Sequence, residues 1–272
     1  TEPVANMGVD ADCTALFHFD GSLNSHKGMS ATFTRASVAY LSDGTQVASG
    51  VPRFEDGKFG KGVLIEERTT NLITNPTFRD GFTGWSKNYN SSASYAILSE
   101  GDITYHQCKF ISNSTDSAYI YKDINGLNPN TSYTLSFRGR WVFTQDVSVG
   151  VYVDLYVVGT FTYKERLFTS GGAVADSRPD WQHLSFQFTT GASETGVRIA
   201  FVLYYGSNDE TGSYFDVSEC QIEEKPYATS FVDGTRAAED LTIPRSSVLP
   251  SLNAAFTIAF RAYPHLTKIG LE

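Results

Sequence analysis

Two tyrosines four positions apart, Tyr152 and Tyr156, bracket Asp154 in a stretch whose residues alternate strictly between apolar and polar. Side chains at that spacing share one side of a strand. Rings and a carboxylate presented together suit a saccharide, whose apolar C–H face stacks on an aromatic ring while its hydroxyls seek Asp, Asn, Gln or Arg partners. Ser136, Arg138 and Arg140 hold the polar parity of one neighbouring stretch, Arg198 and Tyr204 that of another, and Tyr119 and Tyr121 share a side of a further one. If these strands lie in one sheet, all of them project to the same side, with Tyr152 and Tyr156 as stacking residues and Tyr119 and Tyr121 extending the platform. A second reading of the same pattern has the tyrosines filling that side against a loop or a neighbouring chain, with Arg138 and Arg140 paired to Asp154 across strands.

Catalytic chemistry has little support. His18, His26, His106, His183 and His265 are scattered without metal-ligand spacing. The adjacent acids Glu66 and Glu67, and Glu223 and Glu224, read as solvated strand-end charges, and neither a nucleophile elbow nor a phosphate loop occurs. Cys13, Cys108 and Cys220 are odd in number and widely spaced, which reads as structural thiols and leaves a Cys108–Cys220 bridge open. Sequons at Asn90, Asn113 and Asn130 carry no meaning without a secretory context. The expectation is a protein that is not an enzyme and requires no cofactor.

The elements that must position these residues are strands. With 41% hydrophobic and 14% aromatic residues, the 272-residue chain has material for a sizeable core. The excess of 30 acidic over 21 basic residues, a net charge of −9, excludes affinity built on phosphate neutralisation, so no nucleic acid partner is expected. No apolar run approaches the roughly 18 residues of a membrane span, and TEPVANMGVDADC lacks the regions of a signal peptide, so no membrane insertion is expected. Period-two alternation recurs in segments bounded by Gly, Pro, Asn, Asp and Ser: Val147 to Val157, Tyr133 to Arg138 and Val197 to Tyr204. Further strands fall at Ser117 to Lys122, Trp181 to Thr189 and Tyr214 to Glu223, with NGLNPN at Asn125 to Asn130 a turn. The flanks hold shorter candidates at Ala15 to Phe19, Ser30 to Thr34 and Gly62 to Glu66, and a strong one at residues 254–263. The pattern predicts an all-β fold in which apolar sheet faces pair, with the two flanks pairing around an inserted middle.

Four segments in order carry a family resemblance: NLITNPTFRDGFTGW (Asn71 to Trp85), LNPNTSYTLSF (Leu127 to Phe137), WQHLSFQFTT (Trp181 to Thr190) and YFDVSECQIEEKPYATSF (Tyr214 to Phe231). Together residues 71–232 resemble the carbohydrate-binding modules found beside xylanases and cellulases. The resemblance implies a jelly-roll β-sandwich with a concave ligand face, core positions for Trp85 and Trp181, and a structural calcium on Asp216; Trp141 falls on the core parity at a strand end. In the family an acid follows the first Phe, whereas here Arg79 follows Phe78 and Asp80 is displaced by one. In the flanks, RASVAYLSDGTQVASGVPRF (Arg35 to Phe54) and GVLIEERTTNL (Gly62 to Leu72) resemble a stretch of tailed-bacteriophage structural proteins, and ALFHFDG and FTIAFRAYP are similar to strands of concanavalin- or laminin-G-like lectin domains. The resulting expectation is an all-β protein: a jelly roll over 71–232 inserted in a second, partial lectin-like sandwich of residues 1–70 and 233–272, truncated at its C-terminal end. Its expected role is adhesion in a phage or prophage tail, binding polysaccharide or host-surface glycan, with other virion subunits as partners in a homo-oligomer such as a trimer. A purely structural virion module, and an accessory or secreted domain of a glycan-degrading enzyme, are the alternatives.

Overall fold

The computed structural model of the chain describes residues 17–25, 29–57, 60–112, 114–144, 150–171, 173–204 and 211–243. Residues 147–149, the candidate strand at 254–263, Cys13, His26, Asn113 and His265 lie outside the described residues, as do the first two residues of Ala15 to Phe19. The chain divides into two compact units, Thr1–Arg68 with Arg236–Glu272, and Thr69–Thr235.

In the flanking unit the strands are short: β1 (Thr32–Thr34), β2 (Ala39–Tyr40), β3 (Gln46–Val47), β4 (Arg53–Gly57) and β5 (Gly60–Leu64). The inserted unit begins at β6 (Thr69–Thr70) and carries β7 (Ser86–Lys87), β8 (Ala93–Glu100), β9 (Ile103–Phe110), β10 (Ala118–Asn125), β11 (Ser132–Val142), β12 (Gly150–Val157), β13 (Tyr163–Gly171), β14 (Arg178–Thr189), β15 (Gly196–Tyr204) and β16 (Tyr214–Glu223). Then come β17 (Thr235–Arg236) and β18 (Asp240–Thr242), the latter antiparallel to β1 with Phe33 opposite Leu241.

The flanking unit hides charge where small units usually hide hydrocarbon. Arg35, Arg53 and Arg236 surround Glu66 and Glu239, and all five side chains are buried. Glu239 receives Arg35 Nη1 at 2.8 Å, Arg53 Nε at 2.9 Å and Arg53 Nη2 at 2.7 Å, while Glu66 receives Arg53 Nη2 at 2.6 Å and Arg236 Nη1 at 3.0 Å. Arg35 also donates to the carbonyls of Ser37 and Ala48, and the Glu66 amide donates to Glu239. Such a cluster tolerates burial because each charge has opposite charge and hydrogen bonds at once. The reading of Glu66 as a solvated strand-end charge is therefore corrected.

The inserted unit is the expected all-β jelly-roll sandwich. A front sheet orders its five antiparallel strands β13-β12-β15-β10-β7 and a back sheet orders β14-β11-β16-β9-β8. Alternation decides what each buries: Val151, Val153 and Leu155 of β12, and Val197, Ile199, Phe201 and Leu203 of β15, face Tyr133, Leu135, Phe137, Phe215 and Ile222 of the back sheet. Phe201 meets Phe137 edge-on at 5.0 Å and Phe215 at 6.3 Å. Trp85 joins this core as expected, and Trp141, whose strand-end position left both core and rim open, joins it too. Trp181 does not: it lies on the outer side of the back sheet against Tyr105, at 5.3 Å, and the Arg140 guanidinium, at 4.5 Å. The unit's two ends run side by side, Asn71 donating its amide to Gly234 O at 2.8 Å.

Two local features interrupt the alternation. In β16, Glu219 takes φ +49° where the register with β11 shifts, so Val217 and Cys220 both point inward and Glu219 turns back to Arg138 at 2.7 Å. Glu223, read as solvated, is wholly buried, accepting from Thr69 Oγ1, Gln221 Nε2 and both the amide and hydroxyl of Thr229. Cys108 and Cys220 are free, buried thiols with pKa values pushed well up by burial, so the bridge left open from sequence is absent. Among the described residues no helix is long and apolar enough to cross a membrane.

His106 is enclosed by Phe78, Phe82 and Tyr95, and burial with the nearby Lys87 charge holds its pKa at about 3. Against an unfolded value of about 6.5, the folded chain cannot take up the proton that the unfolded chain binds below pH 6.5. The contribution of His106 to stability is therefore complete above pH 6.5 and is lost as pH drops toward 3, by up to roughly 1.4 kcal/mol per unit, and His183, whose pKa burial also lowers, acts in the same direction. Denaturant unfolding between pH 6.5 and 5 should show this slope, and His106→Leu should flatten it. In the flanking unit, Glu239→Gln should cost about 3 to 5 kcal/mol by leaving buried guanidinium charge uncompensated. Amide exchange in β1 and β18 should accelerate accordingly, while that of the sandwich strands stays unchanged.

Candidate functional site

On the outer side of the front sheet, register aligns side chains in rows across four strands. One row runs Thr169, Tyr152, Val202, Tyr119; the next Arg166, Asp154, Ala200, Tyr121; the third Tyr163, Tyr156, Arg198, Asp123. The central strand β15 thus supplies short side chains, Ala200 and Val202, between tyrosines on both neighbours. Tall rings on both sides rise above this short floor as a candidate trough, with Ala200 and Val202 buried beneath them and Tyr119, Tyr121, Tyr152, Tyr156 and Tyr204 half-buried along it.

Two ion pairs fix its charged groups. Arg166 grips Asp154 through Nε at 2.7 Å and Nη2 at 3.1 Å, and Arg198 grips Asp123 through Nε at 2.6 Å and Nη2 at 2.9 Å. Each bidentate pair raises the arginine's pKa, chiefly through its hydrogen bonds to the carboxylate. Each guanidinium also lies over a ring: Arg166 is 3.7 Å from the centroid of Tyr152, and Arg198 is 4.0 Å from that of Tyr121. Tyr152 further packs against Tyr204 at 5.2 Å, and Tyr156 meets Tyr163 edge-on at 5.8 Å. Among the described residues no cation lies over Tyr119 or Tyr156. Both phenols are pushed above their usual pKa, first by burial and then by a nearby aspartate, so they remain neutral hydrogen-bonding groups.

The sequence expectation placed Arg138 and Arg140 in this group, and the structure corrects it. Strand β11 belongs to the back sheet, so Ser136, Arg138 and Arg140 project from the opposite side of the sandwich. Arg138 pairs with Glu219, and Arg140 with Asp216 at 2.8 Å and Glu100 at 2.6 Å; the partner of Asp154 is Arg166. Asp216, the residue on which a calcium was expected, is wholly buried, and Arg140 Nε donates to its Oδ2 at 2.8 Å. Burial pushes its pKa up, with Arg140 and Gln107 acting against that shift. Among the described residues no cluster of three His, Cys, Asp or Glu converges for a metal. Asp123, Arg166, Phe161 and Tyr163 were missed from sequence; the alternation of Phe161 and Tyr163 in FTYKER was the available signal for those two, while register shifts bring Arg166 rather than Glu165 opposite Asp154.

Residues 70–210, just over half of the chain, match the family described as a carbohydrate binding domain. The chain belongs to that family. All the trough residues, from Tyr119 to Tyr204, fall within the matched span of the carbohydrate-binding domain, whereas Asp216 lies beyond it. No curated protein matches the chain. Similar solved structures include a CBM4 module, 17% identical over 56% of this chain and 99% of its own with a TM-score of 0.41. A carbohydrate-binding module in complex with β-1,4-galactotriose is 12% identical over 57% of this chain and 99% of its own, with a TM-score of 0.37. The enzymatically active domain of bacteriophage CBA120 tailspike protein 4 is 8% identical over 56% of this chain, with a TM-score of 0.42, and the chain spans 21% of that structure's length.

Arg140 on the back of the carbohydrate-binding domain is thus structural. Arg140→Ala, which leaves buried Asp216 without its cation, should lower stability by about 3 kcal/mol. Asp216→Asn should recover most of that loss in the Arg140→Ala background, a coupling read by a double-mutant cycle of urea midpoints.

Proposed function

We propose that the inserted unit binds polysaccharide non-catalytically on the front-sheet trough. The observation that supports this most directly is the row geometry: neutral tyrosines on β10 and β12 stand on either side of a floor of Ala200 and Val202, with two aspartate-held arginines as fixed hydrogen-bond donors. That arrangement offers ring faces to sugar C–H surfaces and preoriented polar groups to hydroxyls. The adjacent acids favour binding over cleavage, since Glu66 and Glu223 are buried in ion-pair and hydrogen-bond networks. The lectin-like character of the flanking unit, a place among virion subunits of a phage tail, and oligomerisation that multiplies weak sites by avidity belong to the same proposal. The flank motifs and the likeness to a tailspike structure are what support that placement.

A second reading, a packing face with no ligand, draws on the guanidinium groups already lying over Tyr152 and Tyr121. It separates cleanly by experiment. A glycan array including β-1,4-galactotriose and other β-1,4-linked oligosaccharides should retain the wild-type protein. Tyr156→Ala and Tyr119→Ala should each weaken the retained binding tenfold or more, and Arg140→Ala should leave it unchanged in the folded fraction. A wild type that binds nothing on the array selects the packing reading.

A further inference from the structure

The connection between β12 and β13 carries an aromatic residue in an unfavourable conformation. Phe161 has φ +53°, a left-handed setting that β-carbon crowding makes costly for any residue but glycine, in a hairpin closed by Phe161 N to Val157 O and Val157 N to Thr162 O, both 2.9 Å. That turn does not tuck the ring away. Phe161 is 55% exposed, and Tyr163, two residues on, is 51% exposed. The Phe161 ring nevertheless lies on the trough side of the sheet, because the Arg198 guanidinium is 4.4 Å from its centroid while remaining 4.0 Å from that of Tyr121. Arg198 is in turn locked by its two hydrogen bonds to Asp123. Tyr163 joins the same side through its edge contact with Tyr156. At this end of the trough, then, Phe161 and Tyr163 are each more than half exposed, with the Arg198 guanidinium against one side of the Phe161 ring. A left-handed phenylalanine that stays more than half exposed is the pattern of strain retained for a ligand rather than for packing.

We propose that Phe161 is a further binding residue, forming with Tyr163 a stacking subsite at the hairpin end of the trough for a sugar ring of the same polysaccharide chain. This rests on the trough being the glycan site and adds where the chain makes its most exposed contact. The hairpin supplies ring area, and the Asp123–Arg198 pair holds it in register with the sheet.

The variant Phe161→Gly removes the ring and relieves the backbone in one step, so fold and binding move independently. Its melting temperature should equal or exceed that of the wild type, while affinity for β-1,4-linked hexasaccharides of galactose, xylose or glucose, whichever the wild type retains, should fall at least tenfold by isothermal titration calorimetry. Phe161→Tyr, which keeps a ring, should bind within twofold of wild type. If Phe161→Gly binds within twofold of wild type while Tyr156→Ala does not bind, this subsite is overturned and the trough stands. Loss of binding in Phe161→Tyr equal to that in Phe161→Gly overturns it as well, because ring stacking is then not what the position supplies. A wild type that retains no hexasaccharide overturns both the subsite and the trough.

Discussion

A strand has two sides, and neither can be chosen independently of the other. Once Val151, Val153 and Leu155 are pressed against the back sheet, Tyr152, Asp154 and Tyr156 have nowhere to go but outward. The same constraint acts on β15, where burying Val197, Ile199, Phe201 and Leu203 turns Arg198, Ala200 and Val202 to the front, and on β10, where burying Ile120 and Ile124 exposes Tyr119 and Tyr121. The trough is therefore the obligatory reverse of the core. A mutation that slipped the register by one residue would exchange the two, so stability and site geometry are enforced by one packing event.

Parity fixes which side of a strand a residue occupies, but it is silent on which sheet the strand joins. That is why the fold class, the strands of the middle unit and the outward direction of Tyr152 and Tyr156 were legible in the sequence, while the membership of Arg138 and Arg140 was not. Strands β11 and β12 are consecutive and share the same alternating texture, yet they fall in opposite sheets of the sandwich. Nothing in SYTLSFRGRW distinguishes a front strand from a back one, because both sheets bury one apolar side against the other. Trp181 escaped for a related reason: aromatics dominate cores, but this one stacks against the Arg140 guanidinium on the back surface.

Charge was harder to read than hydrophobicity. Glu66 and Glu223 looked like solvated acids because a lone sequence cannot show that Arg53, Arg236, Thr69 or Thr229 will converge on them. The motif stretches around Arg35, Arg53 and Glu66 are nevertheless informative in retrospect. Their charged residues reach across some 200 positions to Glu239, so the flanking unit owes its internal closure to ion pairs between segments far apart in sequence. Such a cluster is worth little as net stability against an apolar equivalent, but it is intolerant of losing any one member.

The trough itself shows how the same residues serve rigidity and recognition. Arg166 and Arg198 each satisfy a carboxylate with two hydrogen bonds and lie over a tyrosine ring, so little conformational freedom remains to be lost when a ligand approaches. Because Asp154 and Asp123 neutralise them, the two arginines add no net positive field, and a ligand gains from directed N–H donors rather than from charge attraction. Selectivity then rests on ring placement: the spacing of Tyr119 and Tyr156 across the floor of Ala200 and Val202 sets the width available, and the β12–β13 hairpin sets what the end of the trough can hold. Widening the floor residue Ala200 to a bulkier side chain would raise the bottom between the rings without touching the core, which makes β15 the strand through which sequence change can retune the site while the sandwich persists.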